Sequence, residues 1–335
     1  MSSSSFFCAL TLFVVQFGAV VLVAPLISGF RTFMSARLTG VAAPPLLRRW
    51  YLIVICCRTA WPLRPDTGLL TRRAGVIASI AAPASLAIVL TASALVPTAG
   101  SDLITAHWSD FFVITLLLLV AQFTCRLPAL NSLAETATRG FQQSVSAAVI
   151  IPSLFLMAAL FFCMSATTNL DIVLSGMRNG SDFGGNAPFV LAAGALLAAA
   201  VLESSDPVPE VCGADRAMLM LACDCIFLVW LTLAGDFLWP DTLALISGHA
   251  SAARNLGAIF TGFFFWMLRC AILCIVLASG SLIVAGPAGR IRLKAVAALL
   301  LSLFAIQVLF SSHLSATAEW AERRQQTHNT GSDAP

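Results

Sequence analysis

Apolar runs about as long as a hydrocarbon core is thick recur along this chain, and little but a membrane bundle can be folded from them. A helix needs about 20 residues to cross that core. Eight runs read as spans, at 6–28, 75–96, 110–125, 144–165, 188–202, 217–238, 257–285 and 295–312, the third and fifth being short. Lipid offers no water to backbone N–H and C=O groups, so the runs predict helices rather than strands. A barrel would need alternating segments of about ten residues, and none is present. Of the 335 residues only 10% are charged and 59% are hydrophobic, whereas a soluble domain carries about 25% charged residues. The expectation is an all-α membrane protein, a bundle of eight transmembrane helices in one membrane domain over 1–318. A polar tail at 319–335 is expected to be disordered.

The ten cysteines do not form a disulfide framework, because most sit inside apolar runs (Cys8, Cys125, Cys163, Cys223, Cys225, Cys270, Cys274), where cysteine acts as a small hydrophobe. Cys56–Cys57 and Cys223-Asp224-Cys225 lack the second pair that a zinc or iron–sulfur site needs. The four histidines are scattered, and there is no Gly-rich phosphate loop, G-x-S-x-G or His-Glu-x-x-His. The residues therefore predict no catalytic group, no metal and no cofactor bound by this chain, and no nucleic-acid partner.

Charge sets the orientation. Loops between spans one and two, three and four, five and six, and seven and eight hold 14 of the 19 Lys and Arg residues. Eight are in the first loop: Arg31, Arg37, Arg48, Arg49, Arg58, Arg64, Arg72 and Arg73. The opposite side holds only Arg178, Arg254, Arg323 and Arg324. This bias puts the basic loops in the cytoplasm and both termini outside. The first loop is too long for a simple turn. Within it, Trp50 to Cys57 is apolar, too short to span, and flanked by Arg48, Arg49 and Arg58. It reads as a helix in the cytoplasmic interface, with Trp50, Tyr51 and Trp61 at headgroup level, or equally as a helix docked on a partner.

Some charges fall within the spans. Arg269 lies inside the seventh, and a buried arginine needs a partner. Asp224 and Asp236 of the sixth are the candidates, 12 residues apart and so about 18 Å along a helix. The expectation is an Arg269–Asp224 pair locking the two spans. Asp110 opens the third span, where a carboxylate suits the helix dipole. Glu203, Asp206, Glu210 and Asp215 form the one acidic cluster, between spans five and six. These carboxylates face the same side as the arginine-rich loop, where Arg37, Arg126 and Arg139 are possible partners. Small residues around Gly194 suit close packing of the fifth span.

Four segments carry a resemblance to a known family. Ala36-Arg37-Leu38-Thr39-Gly40 through Pro44-Pro45-Leu46-Leu47 is similar to that family's A-R-L-Q-G-R-R-G-P after its first span. Gly68-Leu69-Leu70-Thr71-Arg72 resembles its entry to span two, which closes here in Leu95-Val96-Pro97. Ser101-Asp102-Leu103 is similar to its G-D-L. Ala137-Thr138-Arg139 resembles its A-S-R, with Pro152 at the proline of A-E-P. The family is that of complex I subunit 1 and formate hydrogenlyase subunit 4, and the chain looks closest to the hydrogenase-4 component C-like branch. The resemblance runs from about Val20 to Val308.

The departures concern acids. Gly140 and Ile151 stand where the family has glutamates, and Ser279-Gly280 where it has another acid. The acidic loop after span five is shortened, so that Glu210-Val211-Cys212-Gly213, similar to the family's E-Y-S-G, follows soon after Glu203. Those acids line the family's polar path, and proton movement through lipid needs titratable groups along it. The family's proton route therefore loses its obvious relay here.

What the resemblance implies is a membrane-anchor and coupling subunit of a complex I-like or group 4 hydrogenase-type oxidoreductase complex in a bacterial inner membrane. Its partners would be soluble iron–sulfur and hydrogenase- or quinone-reductase-like subunits and antiporter-like membrane subunits. Iron–sulfur clusters and a [NiFe] centre would sit in those partners, and a quinone is optional. The partner- or quinone-side face would be built from Arg37, Arg48, Arg49, Arg139, Glu203, Asp206 and Glu210, with Asp224, Asp236 and Arg269 as the intramembrane polar set. Two alternatives stand beside it. One is a diverged scaffold in an ion or inorganic-carbon uptake assembly without redox activity. The other is an unrelated transporter, for which the expected inverted repeat is not seen.

Overall fold

The computed structural model describes residues 3–58, 69–98, 106–130, 151–165, 167–179, 211–243 and 252–283, together with isolated positions between 138 and 306. The fold is an all-α membrane bundle. Among the described residues its helices are α1 (Ser3–Leu38), α2 (Arg48–Arg58), α3 (Leu69–Leu95), α4 (Phe111–Leu130), α5 (Ile151–Ser165), α6 (Leu170–Asn179), α7 (Gly213–Leu238) and α8 (Ala252–Ile283). Among the described residues, α1, α3, α4, α7 and α8 are long and apolar enough to cross a membrane. The expected span at 144–165 is described from Ile151 onward, and those at 188–202 and 295–312 only at isolated positions. The tail at 319–335 lies outside the described residues.

The centre of the bundle is α7. Its most apolar stretch is 89% buried, against 33–50% in the other four spanning helices. Its sequence explains this, because Leu219, Ala222, Cys225, Leu228, Trp230, Leu231 and Leu233 point to all sides and are all buried. A helix that is apolar all round belongs inside a bundle. Among the described elements, α1, α2, α3, α4 and α8 pack most extensively against it.

The first helix outruns the lipid. Its 36 residues reach about 54 Å, so the turns carrying Arg31 and Arg37 extend past the end expected at residue 28. It stops in a Schellman turn: Gly40 has φ 73°, its N–H donates to the Arg37 carbonyl, and the Val41 N–H donates to that of Ala36. Only a residue without Cβ adopts that φ at little cost. The chain then folds back onto α1. The Leu46 carbonyl occupies the place a Cβ would take on Gly29, and Trp50 Nε1 donates to the Leu22 carbonyl at 3.1 Å.

At the other end of the bundle, a small polar knot joins α3, α4 and α6. Asp110 caps α4, its Oδ1 accepting from the N–H of Phe112 at 2.8 Å, in keeping with the carboxylate expected there. Its Oδ2 accepts from Thr168 Oγ1 at 2.6 Å. The backbones of Asp110 and Asn169 form an isolated antiparallel bridge, and Asn169 Oδ1 caps α6 through the N–H of Asp171. Ser109 Oγ donates to the Leu95 carbonyl at the end of α3. Beneath the knot, Phe111, Phe161 and Phe237 bring α4, α5 and α7 together with ring centroids 5.1–5.9 Å apart.

Candidate functional site

Two carboxylates on the central helix each meet an arginine from a different neighbour, and these pairs are the candidate site. Asp224 and Asp236 share α7, about 18 Å apart along its axis, with 3% and 0% of their surface exposed.

Arg269 of α8 pairs with Asp236, its Nη1 lying 2.9 Å from Oδ1. This corrects the expected Arg269–Asp224 pairing. The reason is local: Gly235 presents no side chain, and the Cβ and Cδ of Arg269 lie beside the place where its Cβ would be. The arginine stem therefore runs across α7 at residue 235 and its head lands on the next residue. The same guanidinium donates, through longer contacts, to the carbonyls of Trp239 and Thr98. It thus gathers the ends of α3 and α7.

Asp224 is instead met by Arg49 of α2, whose Nε lies 3.2 and 3.1 Å from the two carboxylate oxygens. The Arg49 side chain is 18% exposed. Sequence reasoning placed Arg49 on the partner-facing loop, whereas it turns inward. The signal was available in the spacing: Arg49, Ile53 and Cys56 recur at i, i+4 and i+7, one stripe of a helix. Ile53 is buried with Ala217 and Met220, and Cys56 packs beside them. Along that stripe α2 runs antiparallel to α7.

Between the pairs, the Thr232 hydroxyl is committed to structure. Thr232 Oγ1 donates to the Leu228 carbonyl at 2.9 Å and accepts from Trp266 Nε1 at 3.0 Å. Nearby, Arg31 of α1 places its guanidinium 4.9 Å from the centre of the Phe227 ring, a cation–π contact that sequence reasoning missed. The two pairs tie α2 and α8 to the central helix at fixed register.

The remaining candidates are spread out. Arg37, at the last turn of α1, is exposed with its guanidinium 5.3 Å from the Phe33 ring. Arg48 is exposed at the start of α2. Arg139, Glu203, Asp206 and Glu210 lie outside the described residues. Asp215 and Arg126 are both buried, on α7 and α4. Among the described residues, no group of three or more His, Cys, Asp and Glu side chains is placed to hold a metal ion.

Neither a protein-family model nor a curated protein sequence matches the chain. Its fold is similar to that of a chain in the membrane-bound sulfane sulfur reductase, an archaeal respiratory membrane complex, with a TM-score of 0.65. The likeness covers 89% of this chain and 99% of that one, at 12% sequence identity. At that identity what the two share is a membrane fold, matched almost end to end.

Proposed function

We propose that this chain is the membrane-anchor and coupling subunit of a complex I-like or group 4 hydrogenase-type oxidoreductase complex. The observation that carries the reading is the end-to-end likeness of fold to a chain of a respiratory membrane complex. The ordered segments from Ala36 to Pro152 support it independently. In this reading the basic loops face the cytoplasm of a bacterial inner membrane and both termini face out. A soluble iron–sulfur arm docks on the face that includes Arg37, Arg139, Glu203, Asp206 and Glu210, and antiporter-like subunits adjoin within the bilayer. Electrons stay in the partners' clusters or [NiFe] centre. A quinone, if the complex uses one, approaches the same face.

A second reading draws support from the acids. Gly140, Ile151 and Ser279 replace acidic positions of the resembled family, and Asp224 and Asp236 face arginines. Both features suit a scaffold in a complex I-like ion or inorganic-carbon uptake assembly, without redox work.

The test is a mild-detergent pull-down of the tagged chain with mass spectrometry of the associated subunits. Iron–sulfur and hydrogenase- or quinone-reductase-like subunits arriving with antiporter-like ones is the expected result. Antiporter-like subunits alone would favour the scaffold. The chain alone or as a homo-oligomer would sink both readings.

A further inference from the structure

Near the C-terminal end of α7, where Arg269 meets Asp236, three buried polar groups carry atoms that no protein group answers among the described residues. Gln16 of α1 is 6% exposed. Its Nε2 donates to the Val96 carbonyl at 2.9 Å, while its Oε1 receives no hydrogen bond. Arg269 is 4% exposed. Its Nη1 and Nη2 reach Asp236, Trp239 and Thr98, while its Nε–H has no acceptor. Asp236 is 0% exposed. Its Oδ1 lies 2.9 Å from Arg269 Nη1, close enough for charge pairing but not aligned as a hydrogen bond, and Oδ2 likewise receives none. A single short segment gathers the three groups. Val96, Pro97 and Thr98 are all buried where the chain leaves α3; Gln16 holds the carbonyl of Val96 and Arg269 that of Thr98.

Leaving polar atoms buried and unanswered is costly, so this junction selects its occupant by chemistry. Two of the three groups accept and one donates. A metal cation suits Gln16 Oε1 and the Asp236 carboxylate but meets the Arg269 guanidinium. An anion suits Arg269 Nε but is repelled by Asp236. An apolar chain answers none of them. Water both donates and accepts. We propose that the junction binds a small cluster of ordered water, donating to Gln16 Oε1 and Asp236 Oδ2 and accepting from Arg269 Nε. A buried water makes about three hydrogen bonds, so about two molecules serve all three groups. Two further observations agree. The contacts from Arg269 to the carbonyls of Trp239 and Thr98 are long, 3.4 and 3.5 Å, so protein groups alone hold this guanidinium loosely. Asp236 is two residues from the end of α7 at Leu238, about 3 Å along the axis, and the next residue, Trp239, is 37% exposed. Bulk water therefore has a short way in. The cluster joins α1 to the ion pair of α7 and α8 through Gln16, and it does not depend on which subunits accompany the chain.

The test is a crystal structure of the full-length chain grown from lipidic cubic phase, at a resolution that shows ordered water elsewhere in the bundle. Density peaks are expected at about 2.7–3.2 Å from Gln16 Oε1, Asp236 Oδ2 and Arg269 Nε. Gln16→Leu has no amide to hold water, and should lose the peak beside residue 16 while the Asp236–Arg269 contact stays. A map with waters elsewhere and none at this junction overturns the proposal. So does a Gln16 amide or Arg269 guanidinium turned so that protein groups answer all three atoms. A peak within about 2.3–2.6 Å of several oxygens, the range of a calcium-like ion, overturns it in favour of a cation. A peak beside residue 16 that survives Gln16→Leu overturns it too. The wild-type map decides the matter even where the Gln16→Leu chain aggregates.

Discussion

Arg269 crosses α7 over Gly235: a Cβ on that glycine would stand 3.7 Å from the arginine Cβ and 3.8 Å from its Cδ. Those are ordinary van der Waals distances, so there is room for a methyl group and no more. Gly235→Ala should therefore be tolerated, and slightly stabilising, because glycine inside a helix costs about 0.5–1 kcal/mol relative to alanine. Gly235→Leu should lift the arginine off Asp236 and lower the melting temperature sharply. Thermal unfolding followed by size-exclusion chromatography in detergent distinguishes the two. A Gly235→Leu variant as stable as the wild type would refute the packing account.

The Asp236–Arg269 pair should behave as a unit. Asp236→Asn or Arg269→Gln alone leaves a buried charge without its counterpart, which costs about 3–5 kcal/mol. Replacing both, with Asp236→Leu and Arg269→Met, should recover most of that loss. A double-mutant cycle measured by denaturant unfolding in detergent reads the coupling directly. The corresponding cycle between Asp224 and Arg269 should be additive to within about 0.5 kcal/mol.

The Arg49–Asp224 contact should govern whether α2 stays docked. Asp224→Asn or Arg49→Gln is expected to expose the stripe that contains Cys56, which packs beside Ile53, Ala217 and Met220. In a Cys57→Ser background, the rate of maleimide labelling at Cys56 should rise several-fold with either substitution. An unchanged rate would mean that Ile53 alone secures the helix.

Asp110 has two tasks that can be separated. Asp110→Ala removes the α4 cap and the Thr168 bond together, and should cost about 1–2 kcal/mol. Thr168→Val removes only the 2.6 Å hydroxyl bond and should cost less, because the carboxylate still caps the helix. Equal losses from the two would show that the cap contributes little beside the cross-link. Urea unfolding of the reconstituted protein is a suitable measure.

The five spanning helices among the described residues were legible because a run of apolar residues is a local property. The ends were less so. The helical backbone of α1 continues through Arg31 and Arg37 to Leu38, since nothing in a helix requires it to stop where the lipid does. α6 was missed although Leu170, Val173, Leu174 and Met177 repeat at i, i+3, i+4 and i+7; its 10 residues are too few to span, and a search for spans passes over them. The two acids and the one arginine of the intramembrane polar set were visible, but their pairing was not. Arg49 and Asp224 are 175 positions apart, and which arginine reaches which carboxylate depends on how helices cross. Gly235 decides that crossing by having no side chain, a feature that carries no charge or hydropathy signal.

The burial of α7 on every side has a consequence for how the protein is made. Synthesis runs from the amino terminus, so α1 to α4 are delivered to the bilayer while their central neighbour is still being translated. Until then Arg49 has no Asp224 to meet, and the surfaces of α3 and α4 that will face α7 are bathed in lipid. A ribosome stalled before residue 213, or a truncation there, leaves a set of helices with no common core. Membrane quality-control proteases should clear such fragments quickly, whereas a chain released after α8 has the described partners of its central helix in place.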